Sequence, residues 1–565
     1  MTQPKALLAT VSRRATLAGI AGAALVATLP LPALAQDRTG AFRHGVASGD
    51  PDGQSVVLWT RVSGAAGTVA VQWELAADPA FARMLASGSA ETGPDRDHTV
   101  KVVAGGLPAG GTFWYRFRAL GAVSPTGRTR TLATGRLDRL GIALASCSNY
   151  AFGHFNAYDA IARDGGVDFV LHTGDYIYEY GAKEWGAAVA GRLGRVHEPA
   201  HEIVSLADYR QRHAQYKTDA GSQAMHATHP LLCCWDDHES ANNPWTGGAQ
   251  NHQPDKEGDW AARREASIRA YFEWMPVREP QPGRTRAQFW RDYSFGDLAT
   301  LFTLETRHTG RAEQVDYRAL EGSIASLADA RRVERETIGA AGRAMLAPEQ
   351  EADLAKALRR SVRSRQPWRL IGNPMPIART RVPDVVAMGL MPDPFTTPGA
   401  SNDAKVLAWK GKWDMPFYPD TWDGYEWARE RLYSLSRKAG AADLIFLTGD
   451  SHSFWANRLA DAGGRPAGLE LGTAGVTSPG DFVESGFGPD LSEKLDRAFE
   501  AHNPEVVWTD NLHQGYVRLE LARNRAEAAF VAVDTVLSTD YRTRTLKRFA
   551  MAPRAAKPVL EELPA

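Results

Sequence analysis

The chain has few cysteines and no block of positive charge, and each shortage excludes a class of protein. Three of its 565 residues are cysteines, and Cys233 and Cys234 are adjacent in an apolar segment. A disulfide framework is therefore not expected, although a bridge from Cys147 to one of them stays open. The formal net charge is −1. Without a basic cluster, nucleic acid is not expected as a specific partner.

The chain also lacks an apolar run suited to a membrane-spanning helix, which needs about 20 predominantly apolar residues. The run from Leu17 to Leu31 is shorter and rich in Gly and Ala. It follows Arg13 and Arg14, and Ala33-Leu34-Ala35 fits an A-x-A cleavage site. The twin arginines resemble a Tat export signal. We predict a cleaved signal at residues 1–35 and a periplasmic or secreted protein, with a membrane anchor as the alternative.

The rest of the chain shows two kinds of pattern. Within residues 36–136, segments such as SVVLWTRV and TFWYRFRAL alternate apolar and polar residues, which is typical of a β-sandwich. Within residues 137–565, continuous apolar strands alternate with helical stretches such as Pro348 to Ser364. Single cores stop growing near ~250–300 residues. We therefore predict an α/β catalytic domain preceded by a smaller all-β sandwich domain.

Four short apolar runs lead into residues that bind metals. The run IALASCS holds Cys147, FVLHTGDYIY leads to Asp175 and Tyr178, LLCCWDDHE leads to Asp237 and His238, and LIFLTGDSH leads to Asp450 and His452. Such runs predict buried strands. In open α/β sheets, ligands bind beyond the carboxyl ends of the strands. We therefore predict that these side chains meet at one rim and form a metal site.

The types of ligand indicate which metals this site would hold. Tyrosinate, cysteinate, imidazole and carboxylate together suit a hard trivalent ion such as Fe(III), whereas zinc more usually takes several His or Cys ligands. The carboxylate of Asp175 has two oxygens and can bridge two ions. Oxygen atoms from Asp237 and Asn242 suit calcium. His238 is a candidate general acid. Supporting roles beside the ligands are preferred for His172, Asp236 and Glu239.

The segment from Pro374 to Tyr425 has little periodicity and contains Trp409, Trp413 and Trp422. Ordered loops of this length are uncommon unless they have a function. We expect a lid or rim over the site, and a surface loop without a catalytic role is the alternative.

Nine motifs in order carry a resemblance to a known family. They are GVASGDP, LWTR, ASCSN, HTGDYIYE, WDDHESANN, LETR, TWDGY, LTGDSH and TSPGD. Together they resemble the PhoD-type alkaline phosphatases over nearly the whole chain after the signal. The resemblance implies an N-terminal β-sandwich and a metallophosphoesterase domain of two packed β-sheets flanked by helices. It also implies action on phosphate monoesters and diesters with iron and calcium.

The resemblance assigns roles residue by residue. It implies iron ligands at Cys147, Asp175, Tyr178 and His452, and calcium ligands at Asp175, Asp237, Asn242 and Asp450. Arg307 and Arg429 match recurrent arginines of the family and would bind phosphate, with a structural ion pair as the alternative for each. The chain departs from the family at Glu305, where Asp is usual, and at Ala428, where Glu is common. These departures weaken the assignment of the two arginines.

The expected reaction is hydrolysis of a phosphate ester by a metal-held hydroxide, with His238 assisting departure of the alcohol. No covalent phosphoenzyme is expected, because Ser146, Ser148 and Ser451 have no obvious activating base. The expected partners are small-molecule or lipid phosphate esters and the Tat machinery, and we expect a monomer. The alternatives are a phosphodiesterase or phospholipase D-like enzyme and, more remotely, a metal-binding surface protein without activity.

Overall fold

The computed structural model describes residues 40–484, 487–554 and 558–564. The predicted signal at residues 1–35 lies outside the described residues. Within the described ranges, every helix is too short or too polar to cross a bilayer. The strands are β1 (Val46–Gly49), β2 (Val56–Arg61), β3 (Val69–Ala76), β4 (Met84–Thr92), β5 (Thr99–Ala104), β6 (Thr112–Ala119), β7 (Ala122–Val123), β8 (Gly127–Arg130), β9 (Arg139–Ala145), β10 (Phe169–His172), β11 (Leu231–Cys233), β12 (Pro244–Trp245), β13 (Gly248–Ala249), β14 (Arg291–Phe295), β15 (Ala299–Thr303), β16 (Trp368–Asn373), β17 (Leu444–Thr448), β18 (Phe454–Ala460), β19 (Pro466–Gly472), β20 (Val506–Asp510), β21 (Gln514–Ala522), β22 (Ala526–Val533), β23 (Thr543–Met551) and β24 (Glu561–Leu563).

The α-helices lie mostly between the strands of the second part of the chain. They are α1 (Asn156–Arg163), α2 (Ala187–Leu193), α3 (Leu206–Tyr216), α4 (Ala220–Thr228), α5 (Pro254–Glu257), α6 (Trp260–Trp274), α7 (Tyr317–Leu320), α8 (Leu327–Val333), α9 (Pro348–Arg363), α10 (Asn402–Lys412), α11 (Glu426–Lys438), α12 (Asp481–Glu484) and α13 (Gly488–His502). The local sequence determines where several of these helices begin. Ser205 and Asp208 form a capping box at α3, and Pro348 occupies the first turn of α9.

Two large sheets form the centre of the catalytic region. One has the strand order β24-β23-β22-β21-β9-β10-β11-β1-β2-β5, and the other has the order β14-β15-β16-β17-β19-β18-β20. Strands β9, β10 and β11 run parallel, as do β15, β16, β17 and β19. The carboxyl ends of the strands in each parallel set therefore lie at one rim of their sheet.

The two sheets pack face to face. Leu144 and Leu171 of the ten-stranded sheet share one buried apolar cluster with Leu301, Leu370 and Leu447 of the seven-stranded sheet. Helices α1, α3, α4 and α6 cover the other face of the first sheet, and α9 and α11 cover the other face of the second. Both faces of each sheet are thus covered, which explains why the parallel strands are continuous apolar runs.

The N-terminal region has its own core. A five-stranded sheet, with β4-β3-β6-β7 in order and β8 paired to β6, packs through Val71 and Phe117 against Leu58 and Val100 of β2 and β5. Strands β1, β2 and β5 also belong to the ten-stranded sheet, where β1 pairs in parallel with β11. The predicted boundary at residue 136 falls between β8 and β9, yet one sheet includes strands from both sides of it.

Candidate metal centre

The predicted ligands follow strand ends in both large sheets. Cys147 follows β9, Asp175 follows β10 and Asp237 follows β11, whereas Asp450 and His452 follow β17. A parallel bridge between Ser146 and Gly475 joins the two strand systems at this point. The side chains therefore meet where the rims of the two sheets join.

The backbone at these positions adopts an unusual conformation. The φ angles are 58° at Cys147, 57° at Asp175, 66° at Asp450 and 53° at His452. Such values are uncommon outside Gly, although Asn, Asp and His adopt them more often than other residues, and strained conformations cluster at functional sites. Each strained residue here is a predicted ligand, so the chain bends sharply at the points where it presents these donor atoms.

The four predicted iron ligands come together. Donor atoms of Cys147, Asp175 and His452 lie within 4.8 Å of one another. The hydroxyl of Tyr178 lies 3.2 Å from Oδ2 of Asp175 and 3.4 Å from Nε2 of His452, and Sγ of Cys147 lies 3.4 Å from the same Oδ2. His452 Nδ1 lies 3.1 Å from the carbonyl oxygen of Pro479. Nε2 is thus the nitrogen that faces the group.

Two further groups of potential ligands adjoin the first. One consists of Asp175, Asp237 and His238, and the other of Asp236, Asp237 and Asp450. Asp175 and Asp237 each belong to two of the three groups, so each carboxylate lies where a ligand could contact two bound ions. Oδ2 of Asp236 and Oδ1 of Asp237 are buried and receive no hydrogen bond from any of the described residues. These free lone pairs fit a bound cation.

The electrostatics of the groups also fit bound cations. Burial raises the pKa of Cys147, Asp175 and Tyr178 well above their usual values, and neighbouring anions raise it further. Burial and the negative charge of Asp236 also raise the pKa of Asp450 well above its usual value. Anionic ligands held at such a cost are stabilised by a metal ion, whose binding displaces their protons. The donor set therefore fits metal binding.

Arg307 lies in the middle of the carboxylates and is fully buried. Its Nε donates to Asp236 Oδ1 at 2.5 Å, its Nη2 donates to Asp450 Oδ1 at 3.2 Å, and its Nη1 lies 3.6 Å from Asp420. Within the part of the chain that the structure describes, Nη1 has no hydrogen-bond acceptor. The guanidinium is thus both the counter-charge of this group and a donor available to a bound anion.

Glu305 in the LETR motif does not orient the guanidinium of Arg307. Its carboxylate accepts from the backbone N–H groups of Arg307, His308 and Thr309 at 2.7–3.0 Å, and from Nε1 of Trp235. It therefore fixes the turn beyond β15, while Asp236 holds the guanidinium. The departure from the family at position 305 leaves the side-chain partner of Arg307 in place.

His238 is held by a residue that the sequence analysis did not single out. Its Nδ1 lies 2.7 Å from Oε2 of Glu179, and its ring stacks on Tyr178 with centroids 4.2 Å apart. Burial lowers the pKa of His238, but the charges of Asp237, Glu179 and Asp175 outweigh it and the pKa rises well above the usual value. Hydrogen bonds and the charge of His238 overcome burial and lower the pKa of Glu179. These opposite shifts both favour the charged forms, an imidazolium and a carboxylate.

Two predicted site residues have different surroundings from the rest. The side chain of Asn242 donates to Oε1 of Gln250 at 2.7 Å and makes no hydrogen bond to the ligand groups. Arg429 is buried, and its Nη1 donates to Asp423 at 2.6 Å and to the carbonyl of Ile377 at 3.4 Å. These contacts match the alternative prediction for Arg429, a structural ion pair, and they include no predicted ligand. The assignment of Arg429 to phosphate stays a prediction.

Sequence reasoning also missed an aromatic cover over the centre. The indole of Trp185 stacks on the ring of His452 at 5.6 Å and 17°, and on that of His238 at 6.4 Å and 22°. Trp185 lies in an irregular segment before α2, where no periodicity marks its role. The expected lid from Pro374 to Tyr425 approaches the centre through Asp420, whereas Trp409 and Trp422 are buried in packing clusters.

The comparisons with known proteins agree with this geometry. A family model described as "PhoD-like phosphatase" matches residues 142–530, and one described as "PhoD-like phosphatase, N-terminal domain" matches residues 29–133. The chain is 32% identical over 508 residues to alkaline phosphatase D of Bacillus subtilis (strain 168), covering 86% of this chain and 77% of that protein. A solved structure of PhoD has a TM-score of 0.75 and 28% identity, covering 94% of each chain.

These matches confirm the predicted resemblance and the predicted fold. They also confirm the enzyme class, a phosphoric ester hydrolase of the alkaline phosphatase D type. The groups of potential metal ligands lie within the matched segment, in the loops that follow strands β9, β10, β11 and β17. The chain belongs to the PhoD-like phosphatase family.

Proposed function

We propose that this enzyme is a metal-dependent phosphatase that hydrolyses phosphate monoesters and diesters with Fe(III) and Ca²⁺. The observation that carries the proposal is the set of three adjoining groups of potential ligands, which are linked to one another through Asp175 and Asp237. Cys147, Asp175, Tyr178 and His452 would hold Fe(III), because their anionic oxygen and sulfur atoms neutralise a trivalent charge. Asp175, Asp237 and Asp450 would hold calcium, with Asn242 as a further ligand. When bound, such cations activate water and polarise phosphoryl oxygens.

The residues around the ligands have separate roles in this proposal. Nη1 of Arg307 lacks an acceptor and would bind a phosphoryl oxygen, because a guanidinium matches phosphate geometry. His238 is oriented by the hydrogen bond between its Nδ1 and Glu179 and would donate a proton to the departing alkoxide. The indole of Trp185 covers both histidine rings and would limit the access of water.

The serines near the centre support direct attack by water. The Ser146 hydroxyl donates to the carbonyl of Gly174 at 3.0 Å, and the Ser148 hydroxyl donates to that of Tyr176 at 2.9 Å. The Ser451 hydroxyl accepts from the indole of Trp455 at 3.0 Å. Each serine is buried and bound to a structural partner, so none has the adjacent base that a nucleophile requires.

Two further parts of the proposal concern location and assembly. The segment at residues 1–35 would direct the folded protein through the Tat pathway to the periplasm or the medium. Assembly of the metal centre before export suits this route. We propose a monomer, because the ligand groups are completed by residues of one chain.

One experiment tests the central proposal. Protein exported through its own signal is analysed for metals and by absorption spectroscopy, and 4-nitrophenyl phosphate and bis(4-nitrophenyl) phosphate are compared with and without calcium. A tyrosinate-to-iron charge-transfer band with calcium-dependent turnover of both esters is expected. A colourless, iron-free and active enzyme would overturn the metal assignment. Turnover of the diester alone would favour the phosphodiesterase alternative.

A further inference from the structure

Glu179 connects two parts of the site that lie far apart in the sequence. Its side chain is fully buried. Oε2 accepts from Nδ1 of His238 at 2.7 Å, and Oε1 accepts from the backbone N–H of Asn242 at 2.7 Å and from Nδ2 of Asn251 at 2.9 Å. One carboxylate thus binds the candidate leaving-group acid with one oxygen and the loop after Asp237 with the other.

These contacts fix the orientation of the His238 ring. Tyr178 stacks against one face at 4.2 Å, and Glu179 holds the Nδ1 edge. The opposite edge carries Nε2, which lies 3.9 Å from Oδ2 of Asp237. A ring flip would break the bond to Glu179 and leave a buried carboxylate oxygen unpaired. Nε2 is therefore the only ring nitrogen that is directed at the ligand groups.

The other oxygen of Glu179 holds the loop that carries Asn242. The backbone N–H of Asn251 donates to the carbonyl of Asn242. The carbonyl of Asn251 accepts from Nη1 of Arg263 at 2.9 Å. Asn243, which follows Asn242, has a φ of 50° and donates through its backbone N–H to Asp237 Oδ2 at 2.9 Å. A shift of the Glu179 carboxylate would therefore move the ligand loop as well as His238.

We propose that Glu179 is a positioning residue that sets the direction of His238 Nε2 and the position of the 242–251 loop together. This inference rests on the proposed function, in which His238 protonates the leaving group and Asn242 belongs to the calcium site. Glu179→Gln tests it, because an amide has a single acceptor oxygen and cannot accept from both His238 Nδ1 and the loop.

Esters with different leaving groups separate positioning from a general loss of structure. A 4-nitrophenolate departs without protonation, whereas an alkoxide requires it, and general acid catalysis contributes about 10²–10⁴-fold. With Glu179→Gln we expect kcat/KM to fall by roughly 10²-fold for an alkyl phosphate and less than ~10-fold for 4-nitrophenyl phosphate. We also expect calorimetry on the iron-loaded protein to show calcium affinity lowered by at least ~10-fold.

Two other variants complete the test. Glu470 is a buried carboxylate within the seven-stranded sheet that accepts from the backbone of Ile377 and Ala378. Glu470→Gln removes a comparable acceptor and should leave the leaving-group dependence unchanged. Asn251→Ala removes a single donor to Glu179 and should shift the leaving-group dependence in the same direction by less. It also tests the inference if Glu179→Gln does not fold.

Opposite results have distinct meanings. An equal fall for all esters in Glu179→Gln, or unchanged calcium affinity, would overturn the inference and leave the proposed function intact. Failure of the wild-type enzyme to hydrolyse any of the esters would instead overturn the proposed function.

Discussion

Replacing Asp175 by Asn tests the whole centre, because this carboxylate belongs to two of the three ligand groups. The substitution keeps the shape and one oxygen but removes one negative charge. Two unit charges ~4 Å apart interact by about 4 kcal/mol at an effective dielectric constant near 20. Each ~1.4 kcal/mol is a tenfold change in an equilibrium constant. The proposed ions carry charges of +3 and +2, so this unit-charge figure is a lower bound. We therefore expect at least roughly 10³-fold weaker binding of each cation, and a loss of kcat/KM at least as large.

The same substitution should stabilise the protein when no metal is bound. Burial, the charge of Asp237 and the other nearby acids raise the pKa of Asp175, so its ionised form is unfavourable in the folded chain. A neutral amide avoids this destabilisation. We expect Asp175→Asn to raise the Tm of the chelated protein and to abolish the increase in Tm that the wild type shows with iron and calcium. Scanning calorimetry and metal analysis measure both effects.

A control substitution distinguishes loss of a ligand from loss of any buried carboxylate. Asp461 is buried in the turn between β18 and β19, where it accepts from the backbone of Gly463 and Arg465 at 2.9 Å. Asp461→Asn should lower Tm and leave metal content and kcat/KM unchanged. If Asp175→Asn keeps its iron and more than about a tenth of wild-type kcat/KM, the charge estimate and the shared-ligand scheme are both wrong.

Three further substitutions test other parts of the structure. Arg429→Met leaves Asp423 buried without its arginine partner, which costs about 3–5 kcal/mol. We expect Tm to fall by about 3 °C and kcat/KM for 4-nitrophenyl phosphate to change little. A large loss of activity would instead indicate that Arg429 belongs to the active site. Burial raises the pKa of Asp496 to about 7, above the unfolded value of about 3.9. The stabilising contribution of the Asp496 carboxyl is thus full below pH ~4 and is lost as pH rises through about 7. Asp496→Asn should therefore raise Tm, relative to the wild type, more at pH 8 than at pH 5. Arg365 is exposed after α9 with a φ of 53°, a conformation that costs about 1 kcal/mol for a residue other than glycine. Arg365→Gly should therefore raise Tm by about 1 °C in scanning calorimetry. An unchanged or lower Tm would contradict this.

The parts of the site that follow strand ends were predictable from the sequence. A continuous apolar run predicts a strand with both faces covered, and the parallel order of β9, β10 and β11 brings Cys147, Asp175 and Asp237 to one rim. Hydrophobic period and turn residues are sufficient for this argument, because these three predicted ligands lie within four residues of the ends of their strands. The same reasoning predicted Asp450 and His452 after β17.

Contacts made across irregular segments were not predictable. Glu179 and His238 are 59 residues apart, and Arg307 and Asp236 are 71 apart. No local pattern states which of many polar residues will meet in three dimensions. Arg429 illustrates the same limit, since a motif arginine on an amphipathic helix can face the core and pair with Asp423. Only the packing of the loops distinguishes an arginine that faces a site from one that forms a structural ion pair.

The two T-G-D motifs contain glycine for different physical reasons, and the difference explains how two sheets build one site. Gly174 has a φ of 106°, and a Cβ there would lie 2.4 Å from the backbone nitrogen of Asp236. At Gly449 a Cβ would lie 2.2 Å from Oγ of Ser146, on the other sheet. The first glycine lets neighbouring strand ends of one sheet approach, and the second lets the two sheets meet. Any side chain at position 449 would therefore separate the Asp450 and His452 ligands from Cys147 and Asp175.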